Sequence, residues 1–159
     1  KVSPKEVDEA LSKAAEEGES FGGLLELKLT GVPSKLGQPV FQKIKSDFAS
    51  ALMGIGAVNA VEIGEGFGAA LAQGQEFHSK SNVYGGIRGG ITTGQDIKIQ
   101  ISFKPTSSIK DIARQGRHDP CIVPRAVPVA ESMCHLVIAD HLLLAATDKI
   151  DHLKRIYHV

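Results

Sequence analysis

The segment DIKIQISFK, residues 96–104, decides the fold class because it alternates strictly between apolar and polar side chains. Successive side chains of a strand point to opposite faces, so this alternation predicts a strand with one buried face. The apolar positions are Ile97, Ile99, Ile101 and Phe103. Leu25–Leu29 shows the same alternation, and Ala57–Ile63 predicts a further strand.

Three segments between and beyond these strands predict helices. Residues 4–17 are amphipathic, with Pro4 in the first turn. A second helix is expected from Pro39, and a third, apolar almost all round, from Pro128 to Thr147. The apolar stripe of the second helix is Phe41, Ile44, Phe48 and Leu52. We therefore expect an α+β fold in one domain, residues 1–159: a β-α-β sandwich whose mainly antiparallel sheet of about four strands packs on long buried helices.

The overall composition excludes several classes of partner. The 159 residues carry 18 basic and 18 acidic side chains, and this balance argues against nucleic acid or an anionic membrane as the main partner. Asp140 and His141 interrupt the longest apolar run before it reaches the roughly 18 residues of a spanning helix. Cys121 and Cys134 form no metal-binding or disulfide pattern, which predicts a reducing, cytoplasmic location.

The positive charges are concentrated in the second half of the chain. All five arginines lie there, and the window 88–125 holds seven cations against Asp96, Asp111 and Asp119. Because the guanidinium fork matches phosphate and carboxylate groups, this window predicts a small anionic ligand. A solvated charged face is the alternative.

Two segments within this window have the composition of a binding site. KPTSSI, residues 104–109, ends the best strand with a cation, several hydroxyls and free backbone N–H groups, the donors that a phosphate needs. GRHDPC, residues 116–121, places a cation, an imidazole and a carboxylate side by side. A hydroxyl-rich turn and a turn with internal salt bridges are the respective structural alternatives.

Three other motifs are weaker indications of a catalytic or binding site. Residues 18–22, GESFG, fit the pattern of a nucleophile elbow, but a helix precedes Ser20 and a strand follows it, the reverse of what that turn requires. Residues 64–68, GEGFG, lack the spacing of a dinucleotide fingerprint. Glu131 and His135 share a helix face, but a metal-dependent hydrolase needs a third ligand and His141 lies about 120° away. A polar pair on the helix surface is the alternative.

Taken in order, the segments resemble the chorismate synthase family. The resemblance rests on GVPSKLGQPVF at 31–41, ALMGIGAVNAVEIGEGF at 51–67, SNVYGGIRGGITTGQ at 81–95, KPTSSI, and GRHDPCIVPRAVPVAESM at 116–133. It covers roughly residues 18–147 and corresponds to the C-terminal half of a family chain about twice as long.

The resemblance implies a lyase of aromatic amino acid biosynthesis. The family converts 5-enolpyruvylshikimate 3-phosphate to chorismate by anti 1,4-elimination of phosphate, uses reduced FMN and assembles as a homotetramer. Its N-terminal half supplies two essential histidines and the substrate-binding arginines, so we expect this chain alone to be inactive. The flavin is reduced either with NADPH by the enzyme itself or by an outside reductant; both alternatives stay open.

The family's motifs also imply which residues form the site. Asp119 is the proposed catalytic residue, near flavin N5, with His118 orienting its loop. Tyr84 and Arg88 depart from the family's usual residues, and the link Lys110–Gln115 is shorter than in many relatives. The alternative function is a non-catalytic binding or assembly module without flavin affinity. The flavin-binding residues implied by the resemblance are Gly56, Ala57, Gly89, Lys104, Pro105, Thr106, Ser107, Ser108 and Arg117.

Overall fold

The computed structural model describes residues 4–114 and 119–158. Its helices are α1 (Pro4–Glu17), α2 (Ile44–Met53), α3 (Gly74–Ser79), α4 (Asp111–Arg114), α5 (Val123–Thr147) and α6 (Ile150–Tyr157). Its strands are β1 (Gly23–Leu29), β2 (Val58–Ile63), β3 (Ile87–Arg88), β4 (Ile91–Thr92) and β5 (Ile97–Phe103), with a 3-10 helix at Gly66–Leu71.

The sheet confirms the α+β class and the central importance of β5. Strand β5 pairs antiparallel with both β1 and β2, so the order is β1-β5-β2. Its alternate side chains are buried as the pattern predicts, and they form the floor of the hydrophobic core under α2 and α5. The expected count of about four strands differs slightly from the structure, which has three strands here and a separate two-stranded hairpin, β3–β4. That hairpin lies within the glycine-rich stretch, where positive φ angles at Gly89 and Gly90 turn the chain back on itself.

Helix α2 begins at Ile44 rather than at Pro39. The backbone N–H of Ile44 donates to the carbonyl of Gly90 at 3.0 Å, and a hydrogen bond from Gln38 N–H to Gln42 O at 2.7 Å closes a turn just before the helix. Phe41 therefore lies outside the helix and is 92% exposed. The remaining stripe, Ile44, Phe48 and Leu52, is fully buried as expected.

Helix α5 begins at Val123, five residues before the expected Pro128, which instead lies inside the helix. Ala126, Ala130, Cys134 and His141 are its buried residues. On the opposite side, Leu136 is 64% and Leu143 is 70% exposed. Within the part of the chain that the structure describes, the helix is thus covered on one side only, and the expected sandwich between two layers is not completed there.

Helix α5 is also long and apolar enough, by length and composition alone, to cross a membrane, which the interrupted apolar run did not predict. Core helices of soluble proteins meet the same criterion. Here His141 of α5 is buried against α2 and holds the Asp47 carboxylate, with 2.7 Å between His141 Nε2 and Asp47 Oδ2. The helix therefore makes a polar contact to α2 through a buried histidine.

Candidate functional site

A cleft of about 470 Å³ opens where the end of β5, the turn before β2 and the start of α5 meet. Its walls combine apolar side chains with a cation, hydroxyls and one ion pair. The lining residues are Ile55, Gly56, Ala57, Lys104, Pro105, Thr106, Ser107, Ser108, Asp119, Ile122, Arg125, Ala126 and Val129. The resemblance-based residues Gly56, Ala57, 104–108 and Asp119 thus lie around one cavity.

The turn at Ala57 fixes the base of the cleft. Ala57 has φ 70°, a left-handed conformation that is uncommon for a residue with a side chain. Its carbonyl accepts the backbone N–H of Lys104 at 2.9 Å, which joins the start of β2 to the end of β5. A Cβ added at Gly56 would have no atom within 4 Å, so this position leaves open space at the cleft.

Thr106 ties three segments together rather than presenting its hydroxyl to the cleft. Its Oγ1 donates to the Asp119 carbonyl at 3.0 Å, and its own carbonyl accepts the Ser20 hydroxyl at 2.8 Å. Ser20 therefore has a structural partner, as expected for a turn that links α1 to β1. Ser107 and Ser108 have no hydrogen-bond partner within residues 4–114 and 119–158, so their hydroxyls are available to a ligand.

Asp119 and Arg125 form an ion pair at the mouth of the cleft. Arg125 Nη2 lies 3.0 Å from Asp119 Oδ1, with both side chains partly exposed. The loop is fixed further by the Phe21 N–H, which donates to the Pro120 carbonyl at 2.7 Å. Sequence reasoning gave Arg125 no role, although it is part of the GRHDPCIVPRAVPVAESM motif. The available signal was its position six residues after Asp119, which brings the two together once a helix starts between them.

The start of α5 adds a positive electrostatic field to the cleft. Ile122, Arg125 and Ala126 line the cavity, and no side chain caps the helix. The helix dipole places partial positive charge at this end, which favours an anion, although Pro124 has no N–H and the N–H groups of Arg125 and Ala126 both donate to the Ile122 carbonyl. Within the described chain, Lys104 has no acidic partner, so its ammonium group adds an uncompensated charge at the same cavity.

Of the remaining residues named from the sequence, one lies away from this cleft and one falls outside the described residues. Gly89 lies in the exposed turn between β3 and β4, where an added Cβ would have no atom within 4 Å. Arg117, together with His118, falls outside the described residues. The proposed flavin contacts of these two residues, and of the cleft residues, stay predictions.

The metal-site hypothesis fails on geometry. Glu131 and His135 face a groove of about 520 Å³ between β1 and α5, whereas His141 is buried on another side of the helix with Asp47. Across the described ranges, no group of three potential metal-ligating side chains comes together. Cys134, also at this groove, is inert for a different reason: burial, and to a lesser extent the nearby Glu131, raise the pKa of its thiol to about 11.

Comparison with known proteins decides the family. The model of the chorismate synthase family matches residues 1–143, which include every residue lining the cleft. The chain belongs to the chorismate synthase family. It is 54% identical over 147 residues to chorismate synthase from Bdellovibrio bacteriovorus and covers 43% of that protein. It is 43% identical over 164 residues to the enzyme from Paramagnetospirillum magneticum and covers 45% of it.

A solved structure supports the same assignment. A crystal structure of chorismate synthase superposes with a TM-score of 0.78 at 32% sequence identity, over 97% of this chain and 47% of the other. The chain therefore spans less than half of the length of the chorismate synthases that it matches.

Proposed function

We propose that this chain supplies the flavin-binding part of a chorismate synthase, a lyase that removes phosphate from 5-enolpyruvylshikimate 3-phosphate to give chorismate. The observation that carries the proposal is the convergence of 104–108, Asp119 and the start of α5 on one cavity in a chain of this family. When bound, reduced FMN supplies electron density to the reacting ring system of the substrate.

The residues around the cavity fit the two chemical parts of a flavin nucleotide. The Lys104 ammonium group and the hydroxyls of Ser107 and Ser108 form a donor set suited to a phosphate, and the dipole of α5 adds positive potential at the same cavity. Ile55, Ile122 and Val129 provide apolar surface for a flat ring. Thr106 orients this set by holding the loop of Asp119, and Pro105 fixes the direction of the chain after Lys104.

Asp119 is the proposed proton-transfer group of this half. The ion pair with Arg125 and the bond from Thr106 Oγ1 to the Asp119 carbonyl fix both the side chain and the backbone of the residue. A carboxylate held in place at the mouth of the cavity can accept or return a proton at its oxygen without first having to be ordered.

Replacing Lys104 by alanine tests the binding site. We expect oxidised and reduced FMN to bind saturably to the wild-type chain and about 10- to 100-fold more weakly to Lys104→Ala, because a charge-assisted hydrogen bond is lost. Fluorescence quenching of the flavin measures the affinity. Lys98→Ala is the matched control: Lys98 lies on β5, the strand that Lys104 directly follows, but its side chain is exposed and it is not among the residues of the cleft. Equal affinities of the two variants would contradict the proposed phosphate contact.

We expect the 159-residue chain to form no chorismate on its own. The family resemblance places the essential histidines and the substrate arginines in the other half of the enzyme. Anaerobic incubation with reduced FMN and 5-enolpyruvylshikimate 3-phosphate, followed by chromatographic assay for chorismate, checks this. Chorismate formed by this chain alone would contradict the assignment of the essential histidines and substrate arginines to the other half of the enzyme. The alternative function, a non-catalytic module, predicts that neither oxidation state of FMN binds.

A further inference from the structure

Arg88 and His78 both contact Tyr84 in a cluster beside the glycine-rich loop. The guanidinium carbon of Arg88 lies 4.8 Å from the centre of the Tyr84 ring. The ring of His78 lies beside the hydroxyl end of Tyr84, nearly parallel to it and with 6.0 Å between centroids, and Phe77 packs edge-on at 5.6 Å. A guanidinium group lying on an aromatic face keeps the N–H donors at its edge free to bind a ligand in its own plane.

The side chains of Asn82 and Thr93 hold the loop that carries this cluster through hydrogen bonds to the backbone. Asn82 accepts the Gly86 N–H at 2.7 Å through Oδ1 and donates to the Asp96 carbonyl at 2.9 Å through Nδ2. Thr93 Oγ1 donates to the Gly86 carbonyl at 3.1 Å. Tyr84 therefore lies on a segment that is hydrogen-bonded to the chain just before β5. This fixed backbone sets the position of Arg88 over the Tyr84 ring.

The cluster borders a cleft of about 400 Å³ whose lining includes no acidic side chain. Lys80, at its rim, is bonded to Glu76 at 2.8 Å, and this hydrogen bond raises the pKa of Lys80 while offsetting its charge. Arg88 has no carboxylate partner among residues 4–114 and 119–158, so its charge is uncompensated there. Tyr84 Oη lies 2.6 Å from His78 Nδ1, and if the phenol donates, neutral His78 carries its proton on Nε2 as a further donor.

We propose that this cleft is a second oxyanion site, binding a phosphate or carboxylate group through the fork of Arg88. Charge, donor geometry and the lack of acidic lining all favour a small anion. The cleft shares no lining residue with the cavity around Lys104, so the two sites are distinct. The inference does not depend on the proposed flavin site.

Titration of the ¹⁵N-labelled chain with sodium phosphate and with sodium acetate, each against sodium chloride at equal ionic strength, tests the site by NMR. We expect saturable shifts of the backbone amides of residues 78–95 with at least one of the two oxyanions, and the pair of titrations shows which group is preferred. Arg88→Gln is expected to weaken this binding roughly tenfold or more, and Arg88→Lys to weaken it less, because lysine keeps the charge but not the fork.

Lys104→Ala separates this site from the flavin cavity. We expect the variant to leave the response of residues 78–95 unchanged, whether or not FMN binds at the other cavity. The proposal is overturned if chloride produces the same shifts, if Arg88→Gln binds as tightly as the wild type, or if Lys104→Ala abolishes the response. Arg88 is exposed, so unchanged amide positions outside 78–95 establish that its variants remain folded.

Discussion

Phe48→Ala is expected to lower the free energy of unfolding by about 3–5 kcal/mol. The side chain is fully buried, and it lies between Ile44 and Leu52 on the face of α2 that covers the sheet. Truncation removes most of a large apolar side chain from the core and leaves a cavity that the neighbouring helix and strand cannot fill completely. Chemical denaturation followed by circular dichroism measures the loss.

Phe41→Ala is the matched control for this prediction. The sequence pattern places Phe41 on the same helical stripe as Phe48, but the structure leaves it 92% exposed before the helix begins. Its truncation should therefore change stability by less than about 0.5 kcal/mol. If the two substitutions cost the same, α2 begins earlier than Ile44 and covers more of the core.

Gly64→Ala is expected to cost about 2–5 kcal/mol, from two causes that add. Gly64 has φ 69°, which an L-residue adopts at a cost of about 1–2 kcal/mol. In addition, its new Cβ would meet the Val83 carbonyl oxygen and would lie 2.7 Å from the Gly85 nitrogen. Both are backbone atoms, so the chain must shift and weaken the bond from Glu65 N–H to Val83 O.

Gly31→Ala separates the two causes. Gly31 has nearly the same φ, 72°, but an added Cβ has no atom within 4 Å. We expect this variant to lose only the conformational part, about 1–2 kcal/mol. Both variants are measured in the same denaturation experiment. The difference between their midpoints then gives the cost of the close approach of Gly64 to the 83–85 backbone. Equal losses would show that the approach is looser than described.

Local patterns predicted the sheet well because β5 is buried on one face only. Successive side chains of β5 alternate between the core and the outer face, and the alternation of apolar and polar residues in the sequence shows this directly. Helix starts were predicted less well because proline is acceptable both at the first turn and, as at Pro128, further inside when its neighbours supply enough packing. Phe41 fits the helical period, yet the turn at 38–42 and the bond from Ile44 to Gly90 override it.

The candidate site could be assembled from sequence only through the family resemblance. Composition singled out KPTSSI and the loop of Asp119, but it could not show that they meet Gly56 and Ala57. That meeting depends on the antiparallel pairing of β2 with β5, a contact between residues far apart in sequence. Arg125 was missed for a similar reason, since its pairing with Asp119 depends on where α5 begins.

The burial of Cys134 makes the chain convenient to label. Thiol reagents attack the thiolate, and with a pKa of about 11 the sulfur of Cys134 stays almost entirely protonated at neutral pH. Cys121 is only half-buried, and it stands two residues after Asp119 beside Phe21. A single fluorophore or spin label can therefore be directed to Cys121, in the groove that it lines with Phe21 and α1, without removing a cysteine, and used to report on movement of the Asp119 loop.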